Sequence, residues 1–349
     1  MDNFFLNGKN VLVTGCCGTI GQEMVSQLVS GKYGEVRKLL GIDNNESQLF
    51  AQTNTYSKSE NLEFLLCDIR QKAALIERFI GIDLVFHCAA LKHVGMCERV
   101  PDQAVLTNVL GVQNIIEAAQ ATDVEKVIFA SSDKAVNPTN VMGSTKLVGE
   151  RLFGAAFSNL AITEKVFATT RFGNVLGSNG SVYGIFKNQI KMDKPITLTD
   201  PSMTRFVMSR QQAVELVIET ARIATGGEVF VTKMPVINIE NLAIAMFRDY
   251  CEVYETSTRE LKFQVIGQKP GEKMYEELMN SEEVRRTQNL ENYFCINPIQ
   301  KNHSSATVSK ADGIDKPYVS DSQPPLSIEA TQSLLKSYGL LGTRGIWEE

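Results

Sequence analysis

The chain has 349 residues, 43% hydrophobic and 21% charged, with a formal net charge of -5. That length supports one large domain or two closely joined ones, and the balance is that of a folded globular protein. The acidic surplus and the lack of a lysine- or arginine-rich block argue against nucleic acid as a partner, though a few local donors suffice for an anionic ligand.

In chain order, six short apolar runs read as strands: Asn10–Thr14, Lys38–Asp43, Leu62–Leu66, Leu84–Cys88, Lys126–Ser131 and Lys165–Arg171. Their composition is that of strands buried on both faces. Helical spacing marks Gly21–Ser30, Gln103–Ala121 and Ser144–Phe157, and later Gln211–Ala224 and Ile239–Tyr250. Such alternation predicts an α/β fold, a Rossmann-type doubly wound parallel sheet, with a smaller C-terminal substrate-binding lobe. Residues 1–172 are expected to bind the dinucleotide, with 205–235 returning to that unit, and 173–349 to form mainly the substrate lobe. Gly173–Gly184 reads as a loop over a ligand, and 298–325 as an irregular surface excursion.

No apolar run is long enough to span a bilayer and MDNFFLNGKN lacks a signal-peptide pattern, so no membrane contact and a cytoplasmic location are expected. The seven cysteines are scattered and odd in number, with neither zinc spacing nor a disulfide framework. Reduced thiols and no metal are expected.

The segment VLVTGCCGTIGQEMV sets Gly15, Gly18 and Gly21 directly after a strand and at the opening of a helix. Glycine allows the tight turn, the close approach of a pyrophosphate, and helix-on-strand packing, with the diphosphate on the helix N-terminus beside Thr19 and Ile20. Asp43 ends the second strand, where a carboxylate accepts from ribose hydroxyls and repels a 2′-phosphate, favouring NAD over NADP. Asp68 and Ile69 follow the third strand, near the adenine edge. Asp68 also suits a helix N-cap. Ala89 lies where the fourth strand ends in small residues that leave the cofactor room.

The fifth strand ends in Ser131-Ser132-Asp133-Lys134, and Met142-Gly143-Ser144-Thr145-Lys146 opens a helix. Strand carboxyl ends carry ligands in open parallel sheets, so these groups are expected to face the nicotinamide. Met142 and Lys146, four apart, share one helical face.

The glycine turn, the strand-end Ser-Ser pair and the lysine-bearing helix resemble the extended short-chain dehydrogenase/reductase family. Within it, HCAALKHV, SSDKAVNPTNVMGSTK, RFGNVLGSNGSV, MTRF and KPGEKMYEEL are similar to the UDP-N-acetylglucosamine 4,6-dehydratases of bacterial polysaccharide biosynthesis. Membrane-anchored relatives carry a long N-terminal extension, and this chain resembles the free-standing soluble form. Met142 stands where most of the superfamily has a tyrosine that acts as base, and methionine has no ionisable proton. That variant is similar to a C5-retaining subgroup.

The resemblance implies a redox-neutral lyase with NAD. Oxidation at C4 of the sugar acidifies C5–H, water is lost across C5–C6, and the hydride returns to C6. Asp133 would protonate the leaving hydroxyl, Lys134 would take the C5 proton as a neutral amine, and Lys146 would bond the nicotinamide ribose. Without the tyrosine the C4 base is open between Asp133, Ser132, and Lys146 through water. The sugar nucleotide would meet Lys92, His93, Asn174, Ser181, Lys269, Glu272 and Arg205, the last as a bidentate phosphate fork. A homo-oligomer is implied as well. The rivals are a C5-inverting dehydratase, a sugar-nucleotide epimerase on the same scaffold, and a non-enzymatic NAD-sensing protein.

Overall fold

A computed structural model describes residues 4–159, 165–256, 259–268, 270–299 and 314–348. Strands β1 (Asn10–Thr14), β2 (Lys38–Asp43), β3 (Leu62–Leu66), β4 (Leu84–His87), β5 (Lys126–Ser132) and β6 (Val166–Phe172) come first. Between them run α1 (Thr19–Val29), α2 (Glu46–Thr55), α3 (Lys72–Phe79), α4 (Val94–Arg99), α5 (Pro101–Val105), α6 (Gly111–Gln120) and α7 (Val141–Asn159). There follow β7 (Asn174–Val175), α8 (Val182–Lys191), β8 (Ile196–Leu198), β9 (Thr204–Met208), α9 (Arg210–Ile223), β10 (Val229–Thr232), β11 (Val236–Asn238) and α10 (Ile239–Tyr254). The C-terminal part holds β12 (Phe263–Val265), β13 (Glu277–Met279), α11 (Ser281–Val284), β14 (Thr287–Asn289), β15 (Tyr293–Ile296), β16 (Tyr318–Val319), α12 (Ile328–Ser337) and α13 (Arg344–Glu348).

Nine of the strands form one sheet in the order β3-β2-β1-β4-β5-β6-β10-β15-β14. It is parallel from β3 through β10, and β15 and β14 close it antiparallel. Alternation along β1 explains the layers. Val11 and Val13 pack with Met24 and Val25 of α1 and Val214 and Val217 of α9, while Leu12 faces Phe79 of α3 and Ile115 of α6. The predicted doubly wound α/β sheet is therefore present, with helices on both faces. The chain leaves β1 toward β3 on one side and resumes at β4 on the other. That reversal opens a crevice at the carboxyl ends of β1 and β4. A separate apolar core joins Phe186 and Ile190 of α8, Val207 of β9, Leu242 and Met246 of α10, Leu335 and Trp347.

Several expectations need correction. β3 is not buried on both faces: it is the sheet edge, and Leu66 is 58% exposed. The predicted helix 103–121 starts at Pro101, whose fixed φ suits a first helical turn, and is interrupted by a π-turn at Leu106–Leu110. The extra residue of that turn carries Asn108 inward, where its side chain bonds both backbone groups of Leu91 and the Thr145 hydroxyl. In the stretch 298–325, the described residues from 314 on are not simply a surface excursion. β16 pairs with β13, and Tyr318 is buried with its ring 4.5 Å from that of Phe206 and its hydroxyl accepting from Met234 N–H.

Candidate active site

The glycine turn has the cradle shape its sequence implies. Gly15 adopts φ +67°, and a Cβ there would stand 2.6 Å from the Ala89 backbone. A Cβ on Gly21 would come within 2.1 Å of the Gly15 carbonyl oxygen. Helix α1 begins just beyond Gly18, so the N–H groups of Thr19, Ile20 and Gly21 lack intrahelical acceptors and point their dipoles at the crevice. Asp43 sits at the carboxyl end of β2, where it accepts from Cys17 N–H (3.0 Å) and Asn45 N–H (3.0 Å). A Cβ-free turn, an open helix N-terminus and a strand-end carboxylate fit a dinucleotide.

Cys16, Cys17 and Asp43 bring ligand atoms within 4.8 Å of one another. Burial pushes both thiols up, Cys17 to about 11, so they are held as thiols. Asp68 is not the N-cap the sequence also suggests. The helix after it is capped at Gln71, and both Asp68 oxygens are taken by the Arg70 guanidinium, which holds the carboxyl below its usual range. Ile69 is buried against Gly111.

At the end of β4 lies a group the sequence did not single out. His87, fully buried, meets Thr14 Oγ1 through Nδ1 at 2.7 Å and stacks on Phe129, while its Nε2 has no partner. Burial, with the nearby Lys146 charge, lowers it to about 3, so the ring is neutral. Lys146 is itself buried, donating to Ala130 O (2.9 Å) above the Phe129 ring, and burial brings it down to about 8. Ser131 Oγ is buried without a partner. Met142 is buried with Cys97 and Ala104 in a small apolar cluster.

Beyond β5 the chain makes a 3-10 turn at Asp133–Ala135, capped by Ser132 Oγ accepting from Lys134 N–H. Lys134 Nζ lies 3.1 Å and 3.2 Å from the two Asp133 oxygens. It also meets Glu276 Oε1 at 3.3 Å, across 142 positions of sequence. Glu276 is buried and further held by Arg205 Nε (3.3 Å) and Asn174 Nδ2 (2.6 Å). Burial opposes its charge, but Lys134 and Arg205 prevail and hold it down at about 2. Asp133, with a side chain only 1% exposed, is pushed up to about 7 by burial and by the Glu276 charge. Lys134 goes up: burial disfavours its ammonium, but the two carboxylates outweigh that. This corrects the expectation of a lysine neutral through desolvation, because here it is held as the cation.

Glu276 was missed in sequence, although KPGEKMYEEL contains it. Nothing local distinguishes it from the adjacent Glu277, which turns instead to Asn137 and Lys273. Arg205 also departs from expectation. Its donors go to Glu276, to the carbonyls of Thr204, Lys273 and Met274, and to Met203 Sδ. With every N–H engaged, no phosphate fork remains, and the residue instead pins segment 273–276 beside Asp133. Glu272 lies 3.9 Å from the same guanidinium. Lys269 lies outside the described residues.

The segment read as a loop, Gly173–Gly184, contains β7 and the start of α8. Its tip links the two sides of the crevice. Asn179 N–H reaches Thr19 Oγ1 (3.3 Å), Asn179 O takes Lys92 Nζ (3.0 Å), and Gly180 abuts the His93 ring. Ser181 precedes α8, with its hydroxyl buried and unpartnered.

A family model described as "Polysaccharide biosynthesis protein" matches residues 11–298. The chain is 43% identical over 294 residues to an uncharacterized membrane protein of Methanocaldococcus jannaschii, covering 84% of this chain and 87% of that protein. It is 39% identical over 288 residues to the UDP-glucose 4-epimerase of Rickettsia felis, covering 82% of each. The crystal structure of Pen from Bacillus thuringiensis superposes with a TM-score of 0.89 at 40% identity, covering 97% of this chain and 100% of that one. Among the described residues no helix is long and apolar enough to cross a membrane.

Proposed function

The chain belongs to the polysaccharide biosynthesis protein family, and on that premise we propose that it is a cytoplasmic, NAD-dependent nucleotide-sugar 4,6-dehydratase. Its substrate in this reading is UDP-N-acetylglucosamine, converted with retention at C5 to a UDP-4-keto-6-deoxy-N-acetylhexosamine for bacterial glycan synthesis. Residues 1–172 hold the cofactor and 173–349 mainly the sugar nucleotide. The turn at Gly15, Gly18 and Gly21, with Asp43, would hold NAD, which when bound would supply a hydride acceptor and donor to the sugar.

The observation that carries the proposal is the hydrogen-bonded Asp133–Lys134 pair. Transfer of one proton from Nζ to the carboxylate, across 3.1 Å, turns the ion pair into a neutral acid beside a neutral amine. The amine of Lys134 then takes the C5 proton and the acid of Asp133 gives its proton to the departing C6 hydroxyl, which leaves as water. Both groups finish as the ion pair they began as. The raised proton affinity of Asp133 makes the neutral form accessible, since the charged form is the one burial disfavours. Ser132, Asp133 and Lys146 share the surroundings in which the C4 hydroxyl must lose its proton. Of these, Lys146 is the amine whose ammonium burial weakens most.

The name of the Rickettsia felis relative supports a second reading, a UDP-glucose 4-epimerase. Epimerisation at C4 requires a base at C4 alone and leaves an acid and base at C5 and C6 without employment. Incubation with UDP-N-acetylglucosamine in deuterated water separates the two. Dehydration gives a product lighter by one water with deuterium at C5, whose configuration reports retention or inversion. Epimerisation keeps the mass and changes C4. Bound NAD with no change in any UDP-hexose overturns both.

A homo-oligomer is part of the proposal. Met96, Val105, Leu106 and Leu110, between 37% and 56% exposed on successive helical segments, give a second copy of the chain an apolar face.

A further inference from the structure

Glu276 reaches the Asp133–Lys134 turn from the segment that leads into β13, and its carboxylate is fixed on every side. Oε1 meets Lys134 Nζ and Arg205 Nε, each at 3.3 Å, and Oε2 accepts from Asn174 Nδ2 at 2.6 Å. Its own N–H is bonded to Ser320 Oγ, in the 3-10 turn just after the strand that pairs with β13. The Arg205 guanidinium is in turn immobilised by three carbonyls. Four groups of alternating sign, Asp133, Lys134, Glu276 and Arg205, therefore share one largely dry cluster. Lys134 is shared between two carboxylates that compete for it.

Competition of that kind has a definite outcome. Arg205 contacts Glu276 and Lys134 contacts both, so the carboxylate with two cations keeps its charge and the carboxylate with one becomes the seat of the proton. The other charges nearby are committed elsewhere. Lys146 of α7 donates to Ala130 O and Glu150 of α7 pairs with Arg171. Glu277 of β13 pairs with Lys273, while Glu272 also meets Arg205, at 3.9 Å, more loosely than Glu276 does.

We propose that Glu276 is a positioning residue whose fixed negative charge, anchored by Arg205 and Asn174, makes the neighbouring Asp133 carboxyl the one that takes up the proton when the site needs its acid. What that acid does rests on the dehydratase reading; where the proton sits does not.

The test begins without substrate. With NAD bound and aspartate carboxyl carbons labelled, Asp133, identified by the signal lost in Asp133→Asn, titrates near neutrality in the parent protein. In Glu276→Gln its midpoint falls by at least about one pH unit, because Lys134 and Arg205 then act on one carboxylate alone. In turnover, the midpoint of the pH–rate profile for kcat moves acidic by a similar amount, its plateau drops about tenfold or more, and KM changes little. Glu276→Asp, which keeps the charge, holds the midpoint within about half a unit of the parent, and it carries the test if the Gln variant does not fold. An Asp133 midpoint unmoved in Glu276→Gln, or a rate lost equally at all pH with that midpoint in place, overturns the proposal. Moved titration in a protein that dehydrates no UDP-hexose supports the role of Glu276 and overturns the dehydratase reading alone.

Discussion

Asp133 and Lys134 are adjacent in the chain, yet their chemistry is set by residues far away in sequence. Replacing Lys134 by Ala removes the proposed C5 base and leaves two buried carboxylates, of which Glu276 alone keeps a cation, Arg205. Elimination is expected to fall by about 10²–10⁴-fold while NAD stays bound, measured by product formation and by the cofactor retained after gel filtration. Turnover near the parent rate would remove Lys134 from the mechanism. His87 carries a prediction of a different kind. Its folded value of about 3 lies below the ordinary 6.5, so the protein holds it neutral. The stability this contributes is complete above about 6.5 and is lost as pH falls toward 3. His87→Gln should reduce the slope of unfolding free energy between those limits by about 1.4 kcal/mol per pH unit, read from denaturant melts. An unchanged slope would mean the ring is protonated in the folded state.

Among the elements, the β1–turn–α1 unit was the most legible, because its glycines answer to local sterics alone. Gly21→Ala places a methyl where 2.1 Å separates it from the Gly15 carbonyl, so the turn must open. The expected result is a protein that folds but binds NAD at least about tenfold more weakly by calorimetry, a loss of about 1.4 kcal/mol. Binding equal to the parent's would take the dinucleotide away from this turn. The buried strands β1, β2, β4 and β5 were read to within a residue or so, since continuous apolar runs have little else to be. The elements that escaped are those decided by tertiary partners. The π-turn at Leu106–Leu110 depends on where Asn108 finds Leu91, and the pairing of β16 depends on a pocket for Tyr318.

On the scale of the whole molecule, the doubly wound sheet followed from alternation, but the completion of the site from the C-terminal part did not. Asp133 and Lys134 were visible as a pair at a strand end. Glu276 was not, and neither was the inward turn of Arg205, because a charge's partner is a property of three-dimensional proximity that no spacing encodes. The exposed apolar residues of α4, α5 and the π-turn give a prediction at this scale. Leu106→Glu combined with Leu110→Glu should lower the mass measured by light scattering to that of one chain, with the thermal transition retained. A parent protein already monomeric at micromolar concentration would dismiss the proposed assembly.

The 142-residue separation between Lys134 and Glu276 also has a consequence for how the molecule comes into being. The crevice at β1 and β4 is built from residues that leave the ribosome well before Glu276, whereas the partner that places the proton arrives only when the segment before β13 docks. A nascent or partly unfolded chain can thus have its glycine turn in place while the acid on Asp133 is still unset. The Asp133–Lys134–Glu276 cluster is therefore completed late, by the docking of a segment far along the chain.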